Sequence, residues 1–449
     1  MDKFKNIIIG FGKAGKTLAK YLAQHDETVL LIERSKQMYG GTCINVGCLP
    51  SKNLILNGQR GLDFTTAVNK RGEMTRQLRD KNYHMVADEP LATVWNGSAR
   101  FIDNYVLAVV MSDGTTKKVR GERIFINTGA VPNWPSIPGL EFGQRIFTSK
   151  EAMELKKQPK RLAIIGGGYI GLEFAGMFNS FGTHVTIFDQ HTRLLEREDP
   201  DIATEVVTDL TDAGIEIKPE TQLTQVKDNG EKVTLYYQQG DQTNTAEFDA
   251  VLVAVGRRPN ISSLGLENTD IALTNRGAIQ VDDHLRTTVQ NIWALGDVNG
   301  GPMFTYVSLD DFRIIIDQLF GKGNRSTADR SVIPTASFLN PPLANVGLNE
   351  HQAKSAGYNF QTFKLSVKAI PKARVLEDQR GLYKVIIDQN THCILGATLY
   401  AAEAHETINL IALAIKAKIP YEKLRDMIYT HPTMSEALND LFKTLVVKN

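Results

Sequence analysis

Two cysteines five positions apart, Cys43 and Cys48, are the residues of this sequence best suited to do chemistry. They stand in Gly40-Gly41-Thr42-Cys43-Ile44-Asn45-Val46-Gly47-Cys48-Leu49-Pro50-Ser51-Lys52. A close thiol pair can cycle between dithiol and disulfide, with the thiolate as the attacking form. In a regular helix five steps would turn the second side chain about 140° from the first and raise it about 7.5 Å. A disulfide spans only about 4.4–6.8 Å between Cα atoms. A bond between the two therefore needs a broken turn, for which Gly47 is suited, and a bond closed under such constraint is easily reopened. Placement at a helix start would favour the thiolate. Three other readings stand beside this one. The pair could ligate a metal, although no second Cys/His pair with zinc spacing is present. It could be plain core, where free cysteines are common. It could form an inert bridge, which a reducing compartment disfavours.

A second candidate lies near the other end, in Tyr429-Thr430-His431-Pro432-Thr433-Met434-Ser435-Glu436. Glu436 can orient the His431 ring and fix its tautomer, and a His–carboxylate pair is a usual acid–base device. The remaining histidines, His84, His351 and His405 among them, carry no motif. Cys393 is a lone thiol beside His392; a copper contact there has no support, and no metal site is expected.

The elements that must hold these groups announce themselves as two strand–turn–helix openings. The first runs from Asn6-Ile7-Ile8-Ile9 through Gly10-Phe11-Gly12-Lys13-Ala14-Gly15 into a helix over Lys16 to about Gln24, then a strand, Val29 to Ile32, ending in Glu33. The second runs from Leu162-Ala163-Ile164-Ile165 through Gly166-Gly167-Gly168-Tyr169-Ile170-Gly171 into a helix to about Phe181, then Val185 to Phe188, ending in Asp189. A lone glycine-rich turn is weak evidence. Each of these follows an apolar strand, opens a helix and has an acid 18 residues beyond its last glycine, which is the full context of a dinucleotide site. The first glycine makes the turn, the second lets backbone approach a pyrophosphate, and the third lets helix and strand pack. The anion rests on the helix N-terminus, and the acid accepts from ribose hydroxyls. Two such sites suggest relayed electrons. Strand-then-glycine segments at Phe125 to Ala130, with Thr128-Gly129, and at Val251 to Gly256, before Arg257, look like chain returning from each nucleotide half. Another strand runs into Gly296-Asp297.

The expected architecture is α/β: two Rossmann-like dinucleotide-binding domains and a C-terminal α+β interface domain. The boundaries expected are 1–147 and 263–330 for the first dinucleotide-binding domain, 148–262 for the second, and 331–449 for the interface domain. Composition agrees with a globular chain: 449 residues, 42% hydrophobic and 22% charged. Its 51 basic and 50 acidic side chains, net +1, give no reason to expect nucleic acid or an anionic membrane as partner. No apolar run reaches a membrane span, and the first residues lack a signal peptide, so a cytoplasmic location is expected.

The stretch GGTCINVGCLPSK resembles the active-site signature of the flavoprotein disulfide reductases, the family of glutathione reductase and dihydrolipoamide dehydrogenase. The resemblance runs through the whole chain. It implies FAD lying between a nicotinamide and the disulfide, with Cys48 facing the flavin and Cys43 meeting substrate. It implies Lys52 beside the flavin with Glu173 paired to it near the nicotinamide. It places Gly10, Gly12, Ala14, Gly15, Glu33, Gly41, Thr42, Thr128, Gly129, Gly296 and Asp297 on FAD. Gly166, Gly168, Tyr169, Ile170, Gly171, Asp189, Gly256 and Arg257 fall on NAD(P). It also implies a homodimer in which the His431–Glu436 pair reaches the partner's disulfide. The chain closes on Leu445-Val446-Val447-Lys448-Asn449 without a cysteine pair, unlike the mercuric and large thioredoxin reductases.

Finer details are similar to one branch, the reactive-chlorine-resistance flavoproteins, also described as hypothiocyanous acid reductases. They are Ile9 to Ala19 (IGFGKAGKTLA), Met38 to Gly41 (MYGG), Phe304 to Asp311 (FTYVSLDD) and Ala369 to Val375 (AIPKARV). Leu49-Pro50-Ser51 departs conservatively from the Ile-Pro-Thr of that branch. The resemblance implies reduction of a small thiol oxidant. Cys43 would attack, Cys48 would close the disulfide, and NAD(P)H would reopen it through FAD. Asp189 favours NADH, since an acid there repels a 2′-phosphate, although Arg193 lies four residues on. The alternatives are a dihydrolipoamide dehydrogenase, a Cu(II) reductase, and a non-enzymatic FAD-binding redox sensor.

Overall fold

The first apolar run, Asp2–Ile9, becomes the centre of a six-stranded sheet, parallel to Val29–Glu33 on one side and Thr116–Ile126 on the other. Ile7, Ile8 and Ile9 are buried on both faces, as a covered parallel strand requires. Ala92–Asp103 lies outside Val29–Glu33, and Ile292–Ala294 outside Thr116–Ile126. Val106–Met111 pairs antiparallel with both Ala92–Asp103 and Thr116–Ile126. The protein is described by a computed structural model over residues 1–444. The closing Leu445 to Asn449, on which the reading of a chain end without a cysteine pair rests, lies outside the described residues.

Four helices follow from the first half of this sheet: α1 (Lys13–Ala23), α2 (Thr42–Asn45), α3 (Cys48–Gln59) and α4 (Phe64–Ala87). Helix α1 starts three residues before the position expected from periodicity, because Gly12 caps it and the glycine loop is already its first turn. A short α5 (Ser149–Ala152) leads to the second nucleotide fold. Its five parallel strands run in the order Glu216–Lys218, His184–Phe188, Arg161–Ile165, Ala250–Val253, Ile146–Phe147. Helices α6 (Tyr169–Ser180) and α7 (Pro200–Asp212) connect them. A three-stranded antiparallel sheet, Thr221–Asp228, Val233–Gln239 and Gln242–Phe248, packs on it.

The chain goes to and from the second fold through one two-stranded ribbon, Ala130–Pro132 against Arg257–Pro259. It then re-enters the first sheet at Ile292–Ala294 and forms α8 (Thr305–Phe320). The last part is a five-stranded antiparallel sheet ordered Thr335–Ser337, Leu343–Gly347, Ile394–Tyr400, Leu382–Asp388, Phe360–Ser366, backed by the helix Ala404–Lys416. The fold is thus two Rossmann-like nucleotide folds and an α+β domain. No helix among the described residues is long and apolar enough to cross a membrane.

Candidate active site

The cysteine turn is broken where the spacing requires. Helix α2 ends at Asn45, Gly47 caps α3 with φ −133° and ψ −120°, and Cys48 is the first residue of that twelve-residue helix. A Cβ on Gly47 would stand 2.9 Å from Thr42 O, so only glycine makes this junction. Cys43 and Cys48 are both free thiols here. The first residue of α8, Thr305, brings its Oγ1 to 3.6 Å from Cys48 Sγ.

These neighbours divide one proton between two sulfurs. The hydrogen bond from Cys43 draws the Cys48 thiol down to about 6, with Thr305 and the Lys52 ammonium acting the same way against burial. The same bond, with burial, pushes the Cys43 thiol up, since Cys43 is the donor. In the dithiol form the proton therefore stays on Cys43 and Cys48 is the thiolate. The sign follows: the thiolate persists above the lowered value and is lost as pH falls through it. In the two-electron-reduced enzyme, ultraviolet thiolate absorbance should fade with a midpoint near 6, and Cys48→Ser should remove that titration. A midpoint at the ordinary thiol value of about 8.5 would contradict this assignment.

Lys52, one turn into α3, reaches Glu173 on α6, Nζ to Oε2 at 2.6 Å. The other Glu173 oxygen accepts from Phe338 N at 2.9 Å, and the Lys52 ammonium lies 4.8 Å from the centre of the Phe338 ring. One ion pair thus touches both nucleotide folds and the C-terminal domain.

The two glycine loops are built alike. Gly10 and Gly166 both have φ +106°; a Cβ would stand 2.3 Å from Asn127 O at the first and 2.7 Å from Ala254 O at the second. A Cβ on Gly15 would meet Gly10 O at 2.5 Å, and on Gly171 Gly166 O at 2.0 Å, so both third glycines let helix and strand touch. Gly12 and Gly168 cap α1 and α6, and Ala14 is fully buried beneath the first loop. Gly41 abuts this loop, its Cβ position 2.7 Å from Gly12 Cα, which puts Thr42 at the same helix end. The acids do something spacing alone did not reveal. Glu33 accepts from Phe11 N at 3.0 Å and Asp189 from Gly167 N at 2.5 Å, so each carboxylate also pins its own loop. Asp189 further accepts from His191 Nδ1 at 2.6 Å. Burial pushes the Glu33 carboxyl up. Tyr169 and Ile170 open α6, with the Tyr169 hydroxyl donating to Glu198 at 2.9 Å.

Residues 4–311 match the family described as pyridine nucleotide-disulphide oxidoreductase, and residues 333–442 match its dimerisation domain. The probable pyridine nucleotide-disulfide oxidoreductase RclA of Escherichia coli (strain K12) is 47% identical over 98% of this chain and 99% of its own. A mercuric reductase of Lysinibacillus sphaericus is 33% identical over 97% of this chain and 82% of its own. Among solved structures, the Cu(II) complex of HOCl-induced flavoprotein disulfide reductase RclA from Escherichia coli superposes with TM-score 0.95 at 46% identity, covering 99% of each chain. This chain belongs to the pyridine nucleotide-disulphide oxidoreductases.

The oxidoreductases of this family work with FAD and NAD(P)H, and the residues here fit both. A Cβ would fill the cradle of Gly10, Gly12 and Gly41, and Thr128 Oγ1 beside Gly129 is buried without a hydrogen-bond partner. Gly296 has φ +71° and precedes Asp297, whose carboxyl burial pushes up. In the second loop a Cβ on Gly168 would meet nothing within 4 Å, leaving its backbone open to a ligand. Arg257, next to Gly256 in the ribbon, donates through Nη2 to Ala130 O at 2.6 Å, and its charge acts on Asp297 and Cys48. The oxidoreductase carries its His431–Glu436 pair in the dimerisation domain, His431 Nδ1 2.8 Å from Glu436 Oε2. The His431 side chain is 69% exposed while Glu436 is 17% exposed, so the ring faces outward from its own subunit with the carboxylate behind it. Among the described residues no three His, Cys, Asp or Glu side chains could together hold a metal ion. Sequence reasoning gave no role to Thr305 or to the buried Lys16, although both lie inside motifs it quoted.

Proposed function

We propose that this enzyme is an NADH-dependent reductase of small thiol oxidants such as hypothiocyanous acid, acting as a homodimer in the cytoplasm. The Cys43–Cys48 pair at the junction of the two nucleotide folds, a thiol beside a thiolate, carries the reading. The full-length likeness to an HOCl-induced reductase supports it.

Once deprotonated, Cys43 attacks the sulfur of hypothiocyanous acid. The new sulfur–sulfur bond forms as the oxidant's S–O bond breaks, and hydroxide leaves as water after taking a proton. Cys48 thiolate then attacks Cys43 sulfur, closing the disulfide and expelling thiocyanate. His431 of the partner subunit, oriented there as His431 is here by Glu436, exchanges the Cys43 proton. Gly10, Gly12, Ala14, Gly15, Glu33, Gly41, Thr42, Thr128, Gly129, Gly296 and Asp297 would hold FAD, which when bound would supply the carrier for NADH electrons to reopen the disulfide. Lys52 and Glu173 fix α3 against α6 and hold a positive charge beside Cys48. Gly166, Gly168, Tyr169, Ile170, Gly171, Asp189, Gly256 and Arg257 form the NAD(P) side. Each turnover consumes one NADH and one oxidant and yields NAD⁺, thiocyanate and water.

NADH preference rests on Asp189. Arg193, which could have countered it, donates through Nη2 to the carbonyls of Glu196 and Glu198 at 3.1 Å each and is turned into its own loop. We expect kcat/KM for NADH to exceed that for NADPH by about tenfold or more; a preference for NADPH refutes the argument. The main test is NADH consumption with hypothiocyanous acid, oxidised lipoamide, glutathione disulfide and Cu(II) side by side. Hypothiocyanous acid should give the highest kcat/KM. Lipoamide in first place would make the protein a dihydrolipoamide dehydrogenase, Cu(II) in first place a Cu(II) reductase, and no turnover with any would make it an FAD-binding redox sensor.

A further inference from the structure

A cation without an acidic partner is buried behind the cysteine turn. Lys16, in the first turn of α1, is 4% exposed. Its ammonium donates to Gly40 O at 3.3 Å and to Asn82 Oδ1 on α4, both neutral acceptors. Arg79, one turn before Asn82 on α4, is held in the same manner. Its Nε donates to Asn45 Oδ1 at 2.8 Å and its Nη1 to Gln37 Oε1. Asn45 Nδ2 in turn donates to Tyr39 O and Gly41 O at 2.8 and 2.9 Å. Three successive carbonyls leading into Cys43, those of Tyr39, Gly40 and Gly41, are thereby fastened from behind by Lys16 and Asn45. Gly40 has φ +92°, and a Cβ there would strike Ile44 Cδ1 at 2.7 Å and press on Asn82. The glycine lets the turn close on Ile44 and Asn82.

A helix N-terminus is the least favourable end for a cation, and a buried charge without a partner of opposite sign is costly. Burial and then repulsion from Lys13 bring Lys16 down to about 8, so the ammonium is charged at neutral pH; the anion of Cys43 acts in the opposite direction on it. In return the Lys16 charge acts on Cys43 toward the thiolate. The pair otherwise leaves its proton on Cys43, the sulfur that must ionise to attack.

We propose that Lys16 is a positioning residue that clamps the Tyr39–Cys43 turn and, as an unpaired ammonium, favours Cys43 as the thiolate that attacks the oxidant. This rests on the reading of Cys43 as the attacking sulfur. The test uses the FAD-loaded enzyme in a Cys48→Ser background, where Cys43 is the one thiol of the site. The pH dependence of its alkylation by iodoacetamide is compared between Lys16→Met, Lys16→Arg and the parent, with flavin content and flavin reduction by NADH measured on each. Lys16→Met should slow alkylation at neutral pH about tenfold by moving the ionisation of Cys43 upward, and Lys16→Arg should restore most of it, with flavin content and reduction unchanged. An unmoved ionisation with flavin in place overturns the proposal. So does loss of flavin from Lys16→Met, which would make the dinucleotide pyrophosphate the anion that Lys16 answers. Survival of oxidant turnover in Cys43→Ser would instead defeat the underlying reading, so the two failures are separable.

Discussion

Replacing Cys43 by serine should stop oxidant-driven NADH consumption, by at least about a thousandfold, while NADH still reduces the bound flavin. The size of the effect follows from chemistry rather than from fold. A serine hydroxyl is not ionised at neutral pH and closes no bond to Cys48, yet the shape of the turn is set by Gly47, Asn45 and the carbonyls of residues 39–41, which the change leaves alone. Cys48→Ser should fail differently: each subunit consumes one equivalent of oxidant and stalls, because Cys43 can still attack but nothing expels thiocyanate. The check is NADH absorbance at fixed oxidant, with the flavin spectrum followed in parallel. A Cys43→Ser protein retaining a tenth of the parent rate would mean that oxidant is reduced at the flavin and not at sulfur.

The second large effect is expected at Gly10. Alanine there must adopt φ +106° and place its Cβ 2.3 Å from Asn127 O, and the obstacle is backbone rather than a side chain that can swing away. Asn127 is itself fixed: its Oδ1 accepts from Gly15 N at 2.9 Å and its Nδ2 donates to Leu295 O at 2.7 Å. The loop has to open, at a cost of about 3 kcal/mol or more. We expect Gly10→Ala to purify with bound flavin below about a tenth of the parent content, a loss of that size being the tenfold that each 1.4 kcal/mol brings in an equilibrium. Gly182→Ala is the control. It also has a positive φ, +87°, but its Cβ would meet nothing within 4 Å. It should cost only about 1–2 kcal/mol and keep its flavin. Equal flavin loss in both variants would show that destabilisation in general, and not the closed cradle, releases the cofactor.

Much of the site was readable from the order of residues because its parts are contiguous. A strand, a glycine turn, a helix and an acid after the next strand are tied by backbone geometry alone, so their spacing carries the nucleotide folds twice over. The five-residue cysteine spacing demands a broken helix by the same arithmetic, and α2 and α3 break at Gly47. His431 and Glu436 are near enough in the chain to meet without help, and they do.

What only tertiary structure decided are the contacts between segments far apart. Lys52 and Glu173 are 121 residues distant, and nothing in either neighbourhood specifies that α3 packs on α6 with Phe338 N closing the carboxylate; the pair entered the sequence reading by resemblance alone. Thr305 reaches Cys48 across 257 residues. Lys16 looked like any helix lysine until α4 came down behind the turn and buried it against Asn82. Even Glu33 and Asp189, expected as ribose acceptors, hold their own glycine loops in the structure, and a carboxylate keeps lone pairs free beyond that contact. Local geometry wrote the loops and the thiols into the sequence. The charges around the thiols depend on which helices finally share a core, and that is a property of packing.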